Sequence, residues 1–187
     1  GIITVSQATK DDVISRLGFP ASKVHVTHLG ADDHFKPSSE TDVGQFRRKY
    51  NLEKRDYVLF IGAISGRKNT KRMVEAFAKS DLKNSMDFIL AGGLSYNGQE
   101  TKDKIDELKM NDHIKILPFV DSQDLAHLYS GAKALIFPTL YEGFGLPILE
   151  AMKCGTPVLT STTGSAPEVS GGHAILTNPY EVEEIKL

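Results

Sequence analysis

Two glutamates, Glu142 and Glu150, enclose the segment Gly143-Phe144-Gly145-Leu146-Pro147-Ile148-Leu149. The first falls in a loop that follows an apolar run, Ala134–Phe137. The second falls about one turn into a helix that the pattern starts at Leu146, with Pro147 in its first turn and Gly155 past its end. Gly143 and Gly145 let a backbone approach a ligand closely. Neither Gly145 nor Leu146 carries a capping oxygen, so the first N–H groups of that helix are left for a phosphate or another anion. Two carboxylates flanking such a loop could grip pairs of neighbouring hydroxyls, as on a sugar and a ribose. A tight turn, with Glu150 as a surface residue, explains the same residues, and the chemistry alone leaves both readings open.

A second loop, Gly62-Ala63-Ile64-Ser65-Gly66-Arg67-Lys68-Asn69, joins a buried strand to a helix. Arg67 offers a planar fork of donors and Lys68 a point charge, a pair that suits a diphosphate at a helix start. A solvated basic pair is the plain alternative. The spacing matches neither a P-loop nor the G-x-G-x-x-G dinucleotide fingerprint. Three further segments are candidates. Ala91-Gly92-Gly93 is a turn at a strand end. In Leu117-Pro118-Phe119-Val120-Asp121, Phe119 and Val120 read on their own as core. Thr163-Gly164-Ser165-Ala166-Pro167-Glu168 opens a helix, with Glu168 as a first-turn acid on that helix's dipole. The histidines show no metal-ligand spacing, with His28 and His173 read as structural, and no D-x-D triplet occurs. No metal and no cofactor are expected. The single cysteine, Cys154, reads as a small buried hydrophobe.

These loops need elements to hold them. Apolar runs at Ile2–Ser6, Val24–His28, Tyr57–Ile61, Phe88–Ala91, Ile114–Phe119, Ala134–Phe137, Pro157–Thr160 and Ala174–Thr177 mostly lack polar alternation, the mark of strands buried on both faces. Helical stripes alternate with them: Gln7–Leu17, Val43–Tyr50, Met73–Ala78 behind Asn69 or Thr70 as N-cap, Ile105–Met110, Leu125–Ala132 behind Asp121 as N-cap, and Leu146–Lys153. The rhythm predicts an α/β, Rossmann-like doubly wound parallel sheet with its ligand at the carboxyl ends of the strands. A net charge of −2 with scattered lysines argues against a general nucleic-acid surface, and no nucleic-acid partner is expected. No apolar run approaches the ~18 residues of a membrane-crossing helix.

The segment Glu142–Glu150, with Pro138-Thr139-Leu140-Tyr141 before it and Ala151-Met152-Lys153-Cys154-Gly155-Thr156-Pro157-Val158 after it, resembles the E-x7-E motif of retaining GT-B glycosyltransferases of the family 4 type. The resemblance covers essentially the whole chain but one lobe of a two-lobed enzyme. It implies the C-terminal, donor-binding lobe. The substrate would be a UDP-, GDP- or ADP-sugar whose hexose passes to an acceptor hydroxyl with retention, and the form of the Arg67-Lys68-Asn69 loop makes mannose the first guess. Glu150 would bind the ribose; Glu142, with Gly143 and the backbone of Phe144, Gly145 and Leu146, would hold the sugar. Arg67 and Lys68 would stabilise the leaving diphosphate, Gly62 and Gly92 would lie beside the nucleotide, and Phe119 and Val120 would face the base. The chain departs from the family at Ala63, where an arginine is frequent, and at His28-Leu29-Gly30, where Pro-Asn-Gly is usual.

The same resemblance divides the chain into 1–36, a connector carrying the last strand and helix of an N-terminal lobe, and 37–187, the nucleotide-sugar-binding domain. Because the chain opens directly in a strand-like run, it reads as an excised piece, expected to bind nucleotide without transferring sugar. The expected partner is the acceptor-binding N-terminal lobe of the same polypeptide. The expected location is the cytoplasm, with peripheral association of the intact enzyme at the inner face of the membrane. A non-catalytic nucleotide-sugar sensor built on the same lobe is the alternative.

Overall fold

The computed structural model describes residues 1–186, so that only Leu187 of the expected 37–187 domain lies outside the described residues. The strands are β1 (Ile2–Thr4), β2 (Val24–Val26), β3 (Asp56–Ile61), β4 (Met86–Ala91), β5 (Ile114–Leu117), β6 (Leu135–Phe137), β7 (Val158–Ser161) and β8 (Ile175–Thr177). The helices are α1 (Gln7–Leu17), α2 (Glu40–Lys49), α3 (Thr70–Lys79), α4 (Gln99–Glu107), α5 (Leu125–Ser130), α6 (Leu146–Lys153), α7 (Ala166–Ser170) and α8 (Val182–Ile185). All eight expected strands form.

β3 to β8 make one parallel sheet in the order β5-β4-β3-β6-β7-β8. Counted from β3, this is the 3-2-1-4-5-6 order of a doubly wound sheet, which reverses direction between its first and fourth strands. β3 runs beside β4 from Asp56 opposite Met86 to Ile61 opposite Ala91, yet shares only the Leu59–Leu135 pair with β6. The loops after β3 and β6 both leave the sheet at the reversal, where a doubly wound sheet opens its ligand crevice. Consecutive residues Leu59 and Phe60 on β3, and Ile89 and Leu90 on β4, are all fully buried. Neighbours on a strand point to opposite faces, so helices cover both. α3 supplies Met73, Val74 and Phe77 to the core, and α6 supplies Ile148 and Ala151.

β1, α1 and β2 stand apart. β1 and β2 form their own two-stranded parallel sheet, Ile2 opposite Val24 through Thr4 opposite Val26, and Ile3 is exposed. α1 is capped by Ser6, whose Oγ accepts from the Thr9 N–H at 3.1 Å, and it ends at Gly18 in the left-handed conformation. No residue of α1 is buried, so polar contacts rather than a packed face hold it to the domain.

Several local expectations fail for physical reasons. Asp121 does not cap α5. A 3-10 turn, Ser122–Asp124, intervenes, and the Asp121 carboxylate takes a salt bridge from Lys49 at 2.8 Å instead. α2 starts at Glu40 rather than Val43, because Ser39 accepts from the Asp42 N–H and Glu40 and Asp42 load its first turn with acid. β5 stops at Leu117, leaving Phe119 in the following loop, and β1 stops at Thr4, freeing Ser6 to cap. α8 carries no strong periodicity and was not expected.

Candidate functional site

The loop Pro138–Gly145 leaves β6 and enters α6 at the reversal point. Its carbonyls are bound one after another. Asn69 Nδ2 donates to Pro138 O at 2.9 Å, and Thr163 Oγ1 to Leu140 O at 3.2 Å. Arg67 Nη1 donates to Tyr141 O at 2.8 Å, and Ser165 Oγ lies 3.0 Å from Glu142 O and 2.6 Å from Phe144 O. Ser6 Oγ and Thr9 Oγ1 reach Gly143 O at 2.6 and 3.1 Å, and the Ile148 N–H reaches Gly145 O at 2.9 Å. The donors are the reverse case. Among the described residues, the N–H groups of Gly143, Phe144, Gly145 and Leu146 donate to no protein acceptor. α6 starts at Gly145, φ 100°, without a side-chain cap, and Pro147 contributes no N–H. The result is a row of free, fixed donors beside a positive helix end, the environment an anion or a polyhydroxylated ligand requires.

Glu142 lies at the mouth of this row, its side chain 11% exposed. Lys68 Nζ approaches its Oε1 at 2.8 Å and Arg67 Nη1 at 2.9 Å. The sequence-predicted carboxylate thus meets Arg67 across 75 positions of chain, with Lys68 beside it. Lys68 is nearly enclosed, at 12% exposure, and its ammonium stands 5.0 Å from the Phe137 ring centroid; Arg67 is 55% exposed and free to turn toward a ligand. Two loops are zipped here, since the Leu140 N–H donates to Arg67 O at 3.1 Å. Asn69 was expected to cap α3. It stands at the cap position in a left-handed conformation, φ 63°, but its buried amide reaches Pro138 O and Pro179 O and so ties the β3 loop to the β6 loop.

Glu150 sits one turn into α6, half-buried. Tyr129 of α5 donates to its Oε2 at 2.6 Å. Burial raises the Glu150 pKa above the ordinary carboxylate value, against the lowering effect of the Tyr129 hydroxyl. The same burial, with the Glu150 charge, drives the Tyr129 hydroxyl well above its usual range. Glu150 is therefore neither a plain surface residue nor in contact with the Glu142 cluster. Cys154 is buried and its thiol is pushed up to about 11 by desolvation, as an inert structural cysteine should be.

Gly62 and Gly92 end β3 and β4 side by side. A Cβ on Gly92, φ 151°, would lie 2.0 Å from Gly62 O, so the glycine is required by the approach of two strand ends whatever else it serves. Phe119 is 73% exposed at the C-terminal edge of the sheet, contrary to its reading as core, while Val120 is half-buried against the core. Glu168 is structural and stands in the first turn of α7 as expected, and its carboxylate also serves the start of α1. Its carboxylate accepts from the Gln7 N–H at 2.9 Å and from the Ala8 N–H at 3.5 Å, and His28 Nε2 lies 2.6 Å away. Burial works to raise its pKa, but these donors outweigh it and hold the carboxyl below the usual value. Ser6, Thr9, Tyr129 and Ser165 were missed as site residues. Ser6 and Gly143 are 137 positions apart, and a hydroxyl pairing of that range leaves no local signal.

The doubly wound domain thus gathers free amides, two cations and Glu142 at its topological reversal, with Glu150 one turn into the helix behind them. Residues 42–186 match the family model of glycosyl transferases group 1, and the chain belongs to that family. It is 32% identical over 98% of its length to O-antigen chain mannosyltransferase B of Escherichia coli, covering 49% of that protein. It is 30% identical, also over 98%, to an MMP alpha-(1->4)-mannosyltransferase of Mycolicibacterium hassiacum, covering 43% of it. The chain thus spans about half the length of these curated relatives. Among solved structures, Anabaena HepE in complex with UDP and glucose superposes with a TM-score of 0.87 at 26% identity, over 98% of this chain and 50% of that one.

Proposed function

We propose that this chain binds a nucleoside-diphosphate sugar and forms the donor half of an enzyme that transfers the hexose to an acceptor hydroxyl with retention of configuration. The observation that carries the reading is the Pro138–Gly145 loop, its carbonyls tied down and its last amides free beside Glu142, Arg67 and Lys68. In this reading Arg67 and Lys68 turn from Glu142 to the diphosphate and stabilise the negative charge that grows there as the glycosidic bond breaks, electrostatic work that fixed cations do without reorganisation. Glu142, released from its cations, accepts from sugar hydroxyls, and the Gly143–Leu146 amides donate to the sugar and the phosphate beside it. Glu150 accepts from the two ribose hydroxyls, and exposed Phe119 with Val120 flanks the base. Retention rests on the resemblance of the Glu142–Glu150 segment to retaining enzymes. Two relatives carry the name mannosyltransferase, so mannose is the hexose to test first. HepE in complex with UDP and glucose supports a nucleotide sugar as the donor. The acceptor site belongs, in this reading, to a second lobe that closes over the donor.

Calorimetric titration with UDP, GDP and ADP, followed by their hexose esters, tests the proposal. One base should bind markedly more tightly than the others. Equal or absent binding of all three refutes the donor-lobe reading.

A further inference from the structure

We propose that the first turn of α1 is a working part of the donor site: Ser6 and Thr9 are positioning residues that aim the sugar-loop amides, and Glu168 holds their helix in place. This rests on the donor reading above.

The argument starts from the peptide plane. A trans peptide is rigid, and its C=O and N–H point in opposite directions. Fixing a carbonyl therefore aims the N–H of the next residue. The one hydroxyl proton of Ser165 goes to Phe144 O at 2.6 Å, which aims the Gly145 amide, with Glu142 O also within reach of the same hydroxyl at 3.0 Å. The Ile148 N–H fixes Gly145 O, which aims Leu146. The amide of Phe144 is aimed through Gly143 O, and that carbonyl is held by α1, with Ser6 Oγ at 2.6 Å and Thr9 Oγ1 at 3.1 Å. Ser6 is fully buried, and the same oxygen accepts from the Thr9 N–H, so its rotamer is pinned from both sides.

α1 has no buried residue to anchor it. Glu168 supplies an anchor at its first turn, and the Tyr141 hydroxyl, donating to Asp12 Oδ2 at 2.7 Å, supplies a second one further along. Gln7 and Ala8 carry two of the orphan N–H groups of the helix start, and both donate to Glu168, with His28 on the same carboxylate. Glu168 belongs to α7, within the six-stranded domain. The chain from Ser6 to Thr9 lies outside the 42–186 family match, yet it holds the centre of the motif that match contains. A displacement of α1 would release Gly143 O and let the Phe144 amide swing out of line, and misplacement by about 1 Å can cost a hundredfold in rate.

The test compares the chain with the Ser6→Ala/Thr9→Ala double variant and with Glu168→Gln. Calorimetry reads the affinity for the nucleoside diphosphate and for its hexose ester, and backbone NMR reads the amides of residues 143–146. In both variants the diphosphate should bind within about twofold of the parent, while the advantage of the hexose ester falls about tenfold. The Phe144 amide should shift and broaden, with the resonances of β3 and β4 unchanged. A retained hexose advantage with an unmoved Phe144 amide would show that α1 is only glued to the loop, and would overturn the proposal. So would an equal loss of both affinities, which marks general collapse. If the parent chain binds no nucleoside diphosphate, the donor reading fails by itself, and the NMR arm alone still decides whether α1 aims the loop.

Discussion

Asp56, Asp87 and Glu142 each hold two cations, and only Glu142 belongs to the candidate site. Asp56 and Asp87 lie at the N-terminal edge of the sheet. Arg47 and Lys133 reach Asp56 at 3.2 and 3.1 Å, and Arg55 and Lys115 reach Asp87 at 3.0 and 2.9 Å, the Arg55 approach being too oblique for a hydrogen bond. Glu142, at the C-terminal edge, has the same composition and similar distances. What differs is the neighbourhood. Asp87 sits inside paired strands, with Asp87 opposite Tyr57, so its surrounding amides serve the sheet. Glu142 sits on the loop after β6 at the reversal of the sheet, next to amides that find no acceptor among the described residues. An acid with two cations is thus no mark of a site. The unspent backbone donors beside it, and their place at the reversal of the sheet, are.

The sharpest break in the comparison is Lys68→Ala. Nucleoside-diphosphate affinity measured by calorimetry should fall about a hundredfold, or about 2.7 kcal/mol, with little change in unfolding. Asp87→Asn should do the opposite. Urea unfolding should show a loss of about 2 kcal/mol, below the range for a fully buried pair because Arg55 and Lys115 keep some access to water, while nucleotide affinity is unchanged.

Glu150 combines both behaviours. Its folded pKa is raised, so the folded state holds the proton more tightly than the unfolded chain. Its contribution to stability is present below the unfolded value and lost as pH rises through the folded one. In the donor reading Glu150 accepts from ribose hydroxyls as a carboxylate, so nucleoside affinity should decline on acidification at a higher pH than an exposed glutamate would cause. Glu150→Gln should weaken nucleoside binding about tenfold while leaving neutral-pH unfolding unchanged or slightly improved. The smallest effect separates the two glycines of the loop. Gly145→Ala should cost about 1 kcal/mol in thermal unfolding, since φ there is 100° and a Cβ would lie 3.2 Å from Ile148 Cδ1. Gly143→Ala should cost less than about 0.5 kcal/mol, since a Cβ there meets nothing nearer than Thr9 Oγ1 at 3.7 Å.

The strands were legible because burial on both faces leaves an unmistakable apolar run, as in Tyr57–Ile61 and Phe88–Ala91. Their bounds were less so: Met86 and Asp87 join β4 because β3 offers them partners, not because of their types. Capping bonds were misread where a polar residue had a distant alternative, although Asn69 does stand at the cap position of α3. Asp121 left its expected cap for Lys49, and Asn69 gave its amide to two prolines' carbonyls. In each case a tertiary partner took the place of the local hydrogen bond. Phe119 could not be assigned from its type, because exposure of an aromatic depends on where the strand before it ends.

The sequence alone determined the α/β alternation, the motif Glu142–Glu150, the cation pair Arg67–Lys68 and their location on loops after strands. Those follow from periodicity and spacing, which act over a few residues. Only the tertiary structure decided which loops meet. It set β3 beside β6, joined Glu142 to Arg67 from 75 positions away, buried Glu150 under Tyr129, and brought Ser6 to Gly143 from the far end of the chain. A hydroxyl or an amide can bond any carbonyl within reach, and reach is a property of the assembled sheet.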